Sequence, residues 1–391
     1  MTEYSRTLHT RCKQAEAELL SNLERLVNID SGSGHVTGLI QIGNLLATEL
    51  ESMGLSTERV PDRPGESFNV VGRLQGQGRI SILMFAHMDT VFPPGTAAER
   101  PFRMEDGKGF GPGVSDDKGS IVLGLAALKI LTGMGFSGFK QLTVCFNCDE
   151  ETGSAGSKVL LRQLAQQHDV ALCLEPGREN DGVVNSRKGS AILELTVQGR
   201  AAHAGAAPDQ GRNALMEIIH QIGQLSHLDN PATQTTVNFS VLKAGERSNV
   251  IPDRAFAQAD VRTAAPEELV RIRQAAAVAA ANRSIPDTEV HSELIVTGPP
   301  FPMNARTEQL VAMARQIYGE LGLTLQARGS GGTSDANETA AAGAATLDGL
   351  GLVGGGANHT KDEFAQLDSA VPRLYLLTRL ILELASEKPL G

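Results

Sequence analysis

The sequence predicts an α/β protein of two domains, a helix-covered sheet interrupted by a smaller α+β domain inserted into it. Three observations carry that expectation. The chain has 391 residues, more than the roughly 250 to 300 that one hydrophobic core usually organises. Apolar strand-like runs alternate with amphipathic helical periods up to about Lys188, and helical periods return after the loop "VTGPPFP". Between them the order is strand, helix, strand, strand, helix, strand, the ferredoxin-like split βαβ pattern. The expected boundaries are therefore 1–188, 189–299 and 300–391, with the outer segments forming one domain.

Composition narrows the function classes. With 41% hydrophobic and 20% charged residues the chain has the make-up of an ordinary soluble globular protein. A net charge of −10 argues against general attraction to nucleic acid or anionic membranes, so neither is expected as a partner. The four cysteines (Cys12, Cys145, Cys148, Cys173) are too sparse for a disulfide framework and suggest a reducing compartment. Cys145 and Cys148 spell C-x-x-C at a strand end, but no second pair follows, so structural roles are expected. The N-terminus is charged throughout and lacks the apolar core of a signal peptide or anchor, so the expected location is cytoplasmic, or periplasmic had a leader been removed.

The elements follow in order. Leu19, Leu20, Leu23, Leu26 and Val27 give a helical stripe over Ala15 to Val27, ended by Ser31-Gly32-Ser33-Gly34. A second amphipathic helix covers Gly38 to Met53. Strands are expected at Phe68 to Leu74 and Arg79 to Ala86, the second apolar enough to be buried on both faces. It delivers His87, and two residues on Asp89, which an extended backbone projects to the same side. An H-x-D alone is weak evidence, because chance produces many.

A glycine-rich loop then carries Asp116-Asp117 into a clear helix, where an acid can cap the helix or ligate a metal. The strand Gln141 to Asn147 opens into Asp149-Glu150-Glu151, three acids whose mutual repulsion at a buried strand end calls for a cation. Val170 to Leu174 ends on Glu175. Four successive segments thus deliver His, Asp or Glu to their ends.

The insert reads as strand Ala191 to Gln198, helix Arg212 to Leu225, strands Thr235 to Leu242 and Arg254 to Thr263, helix Pro266 to Arg283 and strand Glu289 to Val296. None of these strands ends on an acidic cluster. A helix at Arg306 to Leu321 follows, then glycine-rich loops, the second holding His359. An apolar helix, Ala370 to Leu384, closes the chain.

The ordered motifs "HMDTV", "GPGVSDDKG", "DEETGSAGS", "LEP", "HAGAAP", "SNVIP", "DVR", "GGTSDA" and "NHTKDEF" resemble the dinuclear zinc carboxypeptidases, deacylases and tripeptidases related to aminoacylase. The likeness spans nearly the whole chain and is greatest to bacterial glutamate carboxypeptidases of the folate-hydrolysing type. It implies a zinc-exopeptidase-like catalytic domain with a mixed central sheet, plus a dimerisation or lid domain that makes a homodimer. It further implies that His87 and Glu175 hold one Zn²⁺, Glu151 and His359 the other, and Asp116, the first acid of "DDK", bridges them. Nitrogen and oxygen donors suit Zn²⁺, although Co²⁺ or Mn²⁺ also fit.

In that scheme Glu150 is the general base, Asp89 orients His87, and the ions supply a nucleophile near neutral pH while polarising the amide carbonyl. His203 of the insert stabilises the oxyanion, in a dimer from the partner's side. Arg262 and Asn249 hold the substrate's terminal carboxylate, and the backbone of Gly331, Gly332 and Thr333 approaches the substrate. Arg187 and Lys188 stand where a neutral turn is expected; they either favour an acidic substrate side chain or are hinge residues facing water.

The expected activity is release of a C-terminal amino acid, glutamate foremost, from a peptide or N-acyl amino acid. The alternatives are an N-acyl-amino-acid deacylase of the acetylornithine type, a tripeptidase or, from another class, a non-catalytic metal-binding protein that kept the fold. Glu150 discriminates, since a degenerate relative would more readily have lost its base.

Overall fold

The computed structural model describes residues 2–62, 67–178, 181–356 and 358–386. They divide into two compact units, one of 1–185, 303–329 and 334–391, the other of 186–302 and 330–333. No helix among the described residues is long and apolar enough to cross a membrane.

The first unit is built on a mixed six-stranded sheet in the order Ser56–Pro61, Phe68–Gln75, Gln141–Asn147, Ser81–His87, Val170–Cys173, Ala345–Leu347. The first three strands pair antiparallel, and the last four run parallel. Ser81–His87 lies inside the sheet and is buried along its whole length, as its unbroken apolar run requires. Helices Glu3–Val27, Lys118–Gly133 and Ala370–Ser386 pack on one another and close the core. The first helix begins 12 residues earlier than its leucine stripe indicates, because Thr2 caps Ser5 N–H at 3.1 Å and Leu8 and Cys12 extend the buried face.

The edge strand Ser56–Pro61 goes unread in the sequence because it is largely exposed and polar, without a clean alternation. Also unread is a four-stranded sheet of two- and three-residue strands, in the order Gly354–Gly355, Phe364–Gln366, Lys108–Phe110, Arg103–Glu105. Strands so short have no detectable period. They matter here because Phe364 pairs with Phe110, which brings the loop carrying His359 against the loop carrying Asp116.

The second unit is an antiparallel sheet in the order Thr236–Ala244, Arg254–Thr263, Gly189–Gln198, Glu289–Gly298. Alternate residues (Leu193, Leu195, Val197; Ala257, Ala259, Val261) face the helices Ala214–Leu225 and Pro266–Ala281 and form a separate core. Arg187 is neither a hinge residue facing water nor open to a substrate. It is 3% exposed, and its Nη1 donates to the carbonyls of Gly332 (3.3 Å) and Thr333 (3.5 Å). Lys188 N–H adds a bond to the Ser330 carbonyl at 3.0 Å. The glycine loop is thereby pinned from beneath.

Candidate metal centre

Sheet register alone sets two of the acids beside His87. In the parallel pairs Phe85 faces Cys173 and His87 faces Asn147, so the residues just beyond, Glu175 and Asp149 to Glu151, leave the sheet at the same level. Glu175 Oε1 lies 3.8 Å from His87 Nε2. Donor atoms of His87, Glu150 and Glu175 lie within 4.8 Å of one another, and so do those of His87, Asp116 and Glu151.

Asp116 joins the two histidines. Its Oδ1 is 2.9 Å from His87 Nε2, while its Oδ2 is 3.3 Å from His359 Nε2 and accepts from Asn358 Nδ2 at 3.0 Å. His359 Nε2 is also 3.2 Å from Glu151 Oε2. All five sequence-derived ligand candidates therefore converge on one spot in the first unit. His359 holds a left-handed backbone, φ 70°, at the tip of its loop.

The orientation of His87 comes mainly from a backbone group. Its Nδ1 lies 3.0 Å from the Asp89 carbonyl, an acceptor, so Nδ1 carries the proton and Nε2 faces the acids. The Asp89 carboxylate is 3.3 Å from Nδ1, and it also accepts the N–H groups of Glu150 (3.0 Å) and Glu151 (3.1 Å) and the Ser33 hydroxyl (2.7 Å). One buried acid thus sets the backbone of the two glutamates.

Several further residues take part, of which the sequence offers Asp117, in the Asp116-Asp117 pair, as a helix cap or metal ligand, and gives Asp335 and Glu363 only as members of motifs. Asp117 occupies the N-cap position of the Lys118–Gly133 helix but makes no side-chain cap; its Oδ2 accepts from His87 N–H at 3.3 Å. The buried Glu363 accepts from Ser115 N–H (2.9 Å) and Asp116 N–H (3.1 Å) through one oxygen. Asp335, of the "GGTSDA" motif, accepts from Asn147 Nδ2 (2.7 Å) and Ser154 Oγ (2.5 Å). Asp335 and Glu363 each lie in a quoted motif, "GGTSDA" and "NHTKDEF", but a single acid in a loop leaves no local pattern that gives it a role.

The crowded acids shift one another's titration. Burial, reinforced by Glu175, holds the Glu150 carboxyl well above the usual carboxylate range, and burial pushes Glu151 to about 8 and Glu363 to about 7. Burial opposes a charge on His87, yet Asp116 and Asp89 raise it well above the ordinary value, and Asp116 lifts His359 to about 9. Glu151 Oε1 is buried with no hydrogen-bond partner among the described residues. An orphaned carboxylate oxygen among imidazoles and acids fits a divalent cation.

The remaining candidates lie in the second unit. His203 and Asn249 share a small ribbon: His203 pairs with Val250, and Ala204 N–H bonds to the Asn249 carbonyl at 2.9 Å. His203 Nδ1 accepts from Gly205 N–H (3.2 Å) and Ala206 N–H (3.1 Å), which leaves the ring proton on Nε2 as a donor. Arg262 is held by Asp260, with Nε 3.0 Å from Oδ2 and Nη2 3.0 Å from Oδ1. Gly331, Gly332 and Thr333 form the loop pinned by Arg187.

A mixed α/β sheet that gathers histidines and acids at its strand ends defines a metal-dependent hydrolase, and the chain belongs to Peptidase family M20/M25/M40, whose family model matches residues 83–383. Among individual relatives, Carboxypeptidase G2 of Pseudomonas sp. (strain RS-16) is 36% identical over 95% of this chain and 90% of its own. Acetylornithine deacetylase of Proteus mirabilis (strain HI4320) is 31% identical over 53% of this chain and 56% of its own. The solved aminopeptidase PepT of Bacillus cereus shares the fold, with a TM-score of 0.79 at 22% identity, covering 95% of this chain and 99% of its own. The protein is a metallopeptidase or amidohydrolase by family.

Proposed function

We propose that the chain is a dinuclear zinc carboxypeptidase that releases a C-terminal amino acid, glutamate foremost, from a peptide or N-acyl amino acid. The observation that carries this reading is Asp116, whose two oxygens face two histidines, one at a strand end and one on a distant loop. His87 and Glu175 would hold one ion, Glu151 and His359 the other, and Asp116 both. The ions would supply an activated water and polarise the scissile carbonyl.

The chain's own groups do the rest. Glu150 takes a proton and returns it to the leaving nitrogen, from a backbone fixed by Asp89. His203 offers an Nε2–H to the developing oxyanion. Arg262 receives the substrate carboxylate on its planar fork, sharing or displacing Asp260, and the Gly331–Gly332–Thr333 backbone would add donors; Asn249, which sits by the His203 ribbon toward the Arg254 end of that strand, would act with His203 from the partner's side. The carboxypeptidase named among the relatives supports exopeptidase action, and the deacetylase keeps N-acyl amino acids in view.

A homodimer through the second unit is part of the proposal. It is supported by two open sheet edges, Thr236–Ala244 and Glu289–Gly298, the latter presenting exposed Ile295 and Val296. A cytoplasmic setting is supported by four buried thiols outside any disulfide.

Metal analysis together with kinetics tests the assignment. About two zinc ions per chain are expected. Glu150→Ala retains both while kcat falls at least about 10²-fold. Loss of zinc with the chemical step intact would exchange the roles of Glu150 and Glu151, and full activity without metal would end the mechanism. A panel of N-acyl glutamates, folates, acetylornithine and small peptides separates the substrate classes.

A further inference from the structure

We propose that Asn358 is a positioning residue: it latches the tip of the His359 loop to Asp116 before any ion arrives, and so sets how tightly the ion beside His359 and Glu151 is held. This rests on the dinuclear reading above. The loop leaves Gly354–Gly355 and returns to Phe364–Gln366, and the pairing of Gly355 with Phe364 closes its base. Its two arms touch, since a Cβ on Gly356 would fall 1.9 Å from the Asp362 carbonyl oxygen. Thr360 ties them further, its Oγ1 donating to the Gly356 carbonyl at 3.3 Å and accepting from Asp362 N–H at 3.2 Å.

The tip itself is open to water. Thr360, Lys361 and Asp362 are exposed, and the His359 side chain is 51% exposed. The backbone of His359 is left-handed, a region that a histidine populates sparsely, so local preference does not aim its ring. His87, which faces the other oxygen of Asp116, is 2% exposed and set by its strand. Of the two histidines, only the one on the tip depends on an added tie.

Asn358 supplies it. Two consecutive side chains turn inward to one oxygen, Asp116 Oδ2, with Asn358 Nδ2 at 3.0 Å and His359 Nε2 at 3.3 Å. An ionised carboxylate only accepts, so the amide presents its NH₂ and not its oxygen. The two contacts then differ in kind. A histidine nitrogen that ligates an ion no longer donates to the acid, whereas the amide nitrogen has no lone pair for a metal, and a carboxylate oxygen has room for two partners. The Asn358 bond is therefore compatible with both the empty and the loaded site, and a tip ordered in advance lowers the cost of binding.

The test titrates metal-free protein with Co²⁺, followed by visible absorption, and with Zn²⁺ in competition with a chelator. The wild type is expected to bind in two steps. Asn358→Leu, which keeps the size and loses the donor, leaves the first step in place and weakens the second by about 10- to 100-fold, the range for removing a hydrogen-bond partner of a metal ligand. Asn358→Gln, which returns the amide on a longer stem, recovers part of the loss. Lys361→Ala, exposed on the same tip, changes neither step. A second readout uses no metal: trypsin cleavage after Lys361 is expected to run about tenfold faster in Asn358→Leu than in wild type, as loss of one charge-assisted hydrogen bond frees the tip. Equal weakening of both steps, an unchanged or tightened second step, or unchanged cleavage would overturn the latch. A wild type that takes one ion only would overturn the dinuclear reading and the metal half of the proposal with it, while the cleavage rates still decide whether Asn358 holds the tip.

Discussion

Asp89 never needs to touch an ion to govern the site. Its carboxylate takes the N–H groups of Glu150 and Glu151 and the Ser33 hydroxyl, while its carbonyl fixes the His87 tautomer. Asp89→Ala therefore displaces the base and a ligand together. Zinc affinity and kcat are both expected to drop about 10- to 100-fold, read by competition with a chelator and by steady-state kinetics. Asp89→Asn keeps an acceptor and the carbonyl, so it is expected to lose less. The spacing of His87 and Asp89 on a strand shows in the sequence, because a period of two needs no tertiary information. The further contacts of Asp89 do not show, since the partners at Ser33 and Glu150 are 56 and 61 residues away.

Among elements, the miniature sheet that joins Lys108–Phe110 to Phe364–Gln366 is the part local pattern could not reveal, yet it carries His359 to Asp116. Glu363 finishes the junction by accepting two consecutive N–H groups at the start of the Asp116 turn. Glu363→Ala is expected to loosen the His359 and Glu151 side first, lowering bound zinc from about two ions to about one per chain. Unchanged stoichiometry by metal analysis would refute this coupling. By contrast, Ser81–His87 and Gln141–Asn147 are legible because their middles are mostly apolar and, Gln141 apart, they are buried in the sheet centre.

In the second unit, Glu217 on its helix gathers Gln221 Nε2 (2.7 Å) and the N–H groups of Ile285 (2.6 Å) and Ser284 (2.9 Å). Burial alone would raise its pKa, but these donors outweigh it and hold the carboxyl below its ordinary value of 4.5. A carboxyl depressed by folding stabilises fully above its unfolded value, and that contribution disappears as pH falls through the lower, folded one. Glu217→Gln is thus expected to cost about 1 to 3 kcal/mol near neutrality and to flatten the acid limb of unfolding, measured by denaturant titration across pH.

For the molecule as a whole, both donor clusters found among the described residues belong to the first unit. Chelation is expected to lower the calorimetric transition of that unit and leave the second in place. At free zinc about a hundredfold above Kd, binding contributes about 2.7 kcal/mol. Equal shifts of both transitions would show that the units unfold together. The compact units divide at 185/186 and 302/303, where the sequence sets the expected boundaries at 188/189 and 299/300 from a change of composition, and 330–333 join the second unit, where they meet Arg187, a buried cation that no hydropathy pattern announces.

The four cysteines bear on handling. All are buried, and burial drives the Cys12 and Cys148 thiols up to about 12, with Cys145 higher still, so thiolate is scarce at neutral pH. The native thiols are expected to react slowly with alkylating reagents, which a thiol titration of the folded protein checks. A single cysteine engineered at an open position such as Val278, 70% exposed on the Pro266–Ala281 helix, would therefore accept a fluorophore or spin label alone, with the native sulfurs left in place.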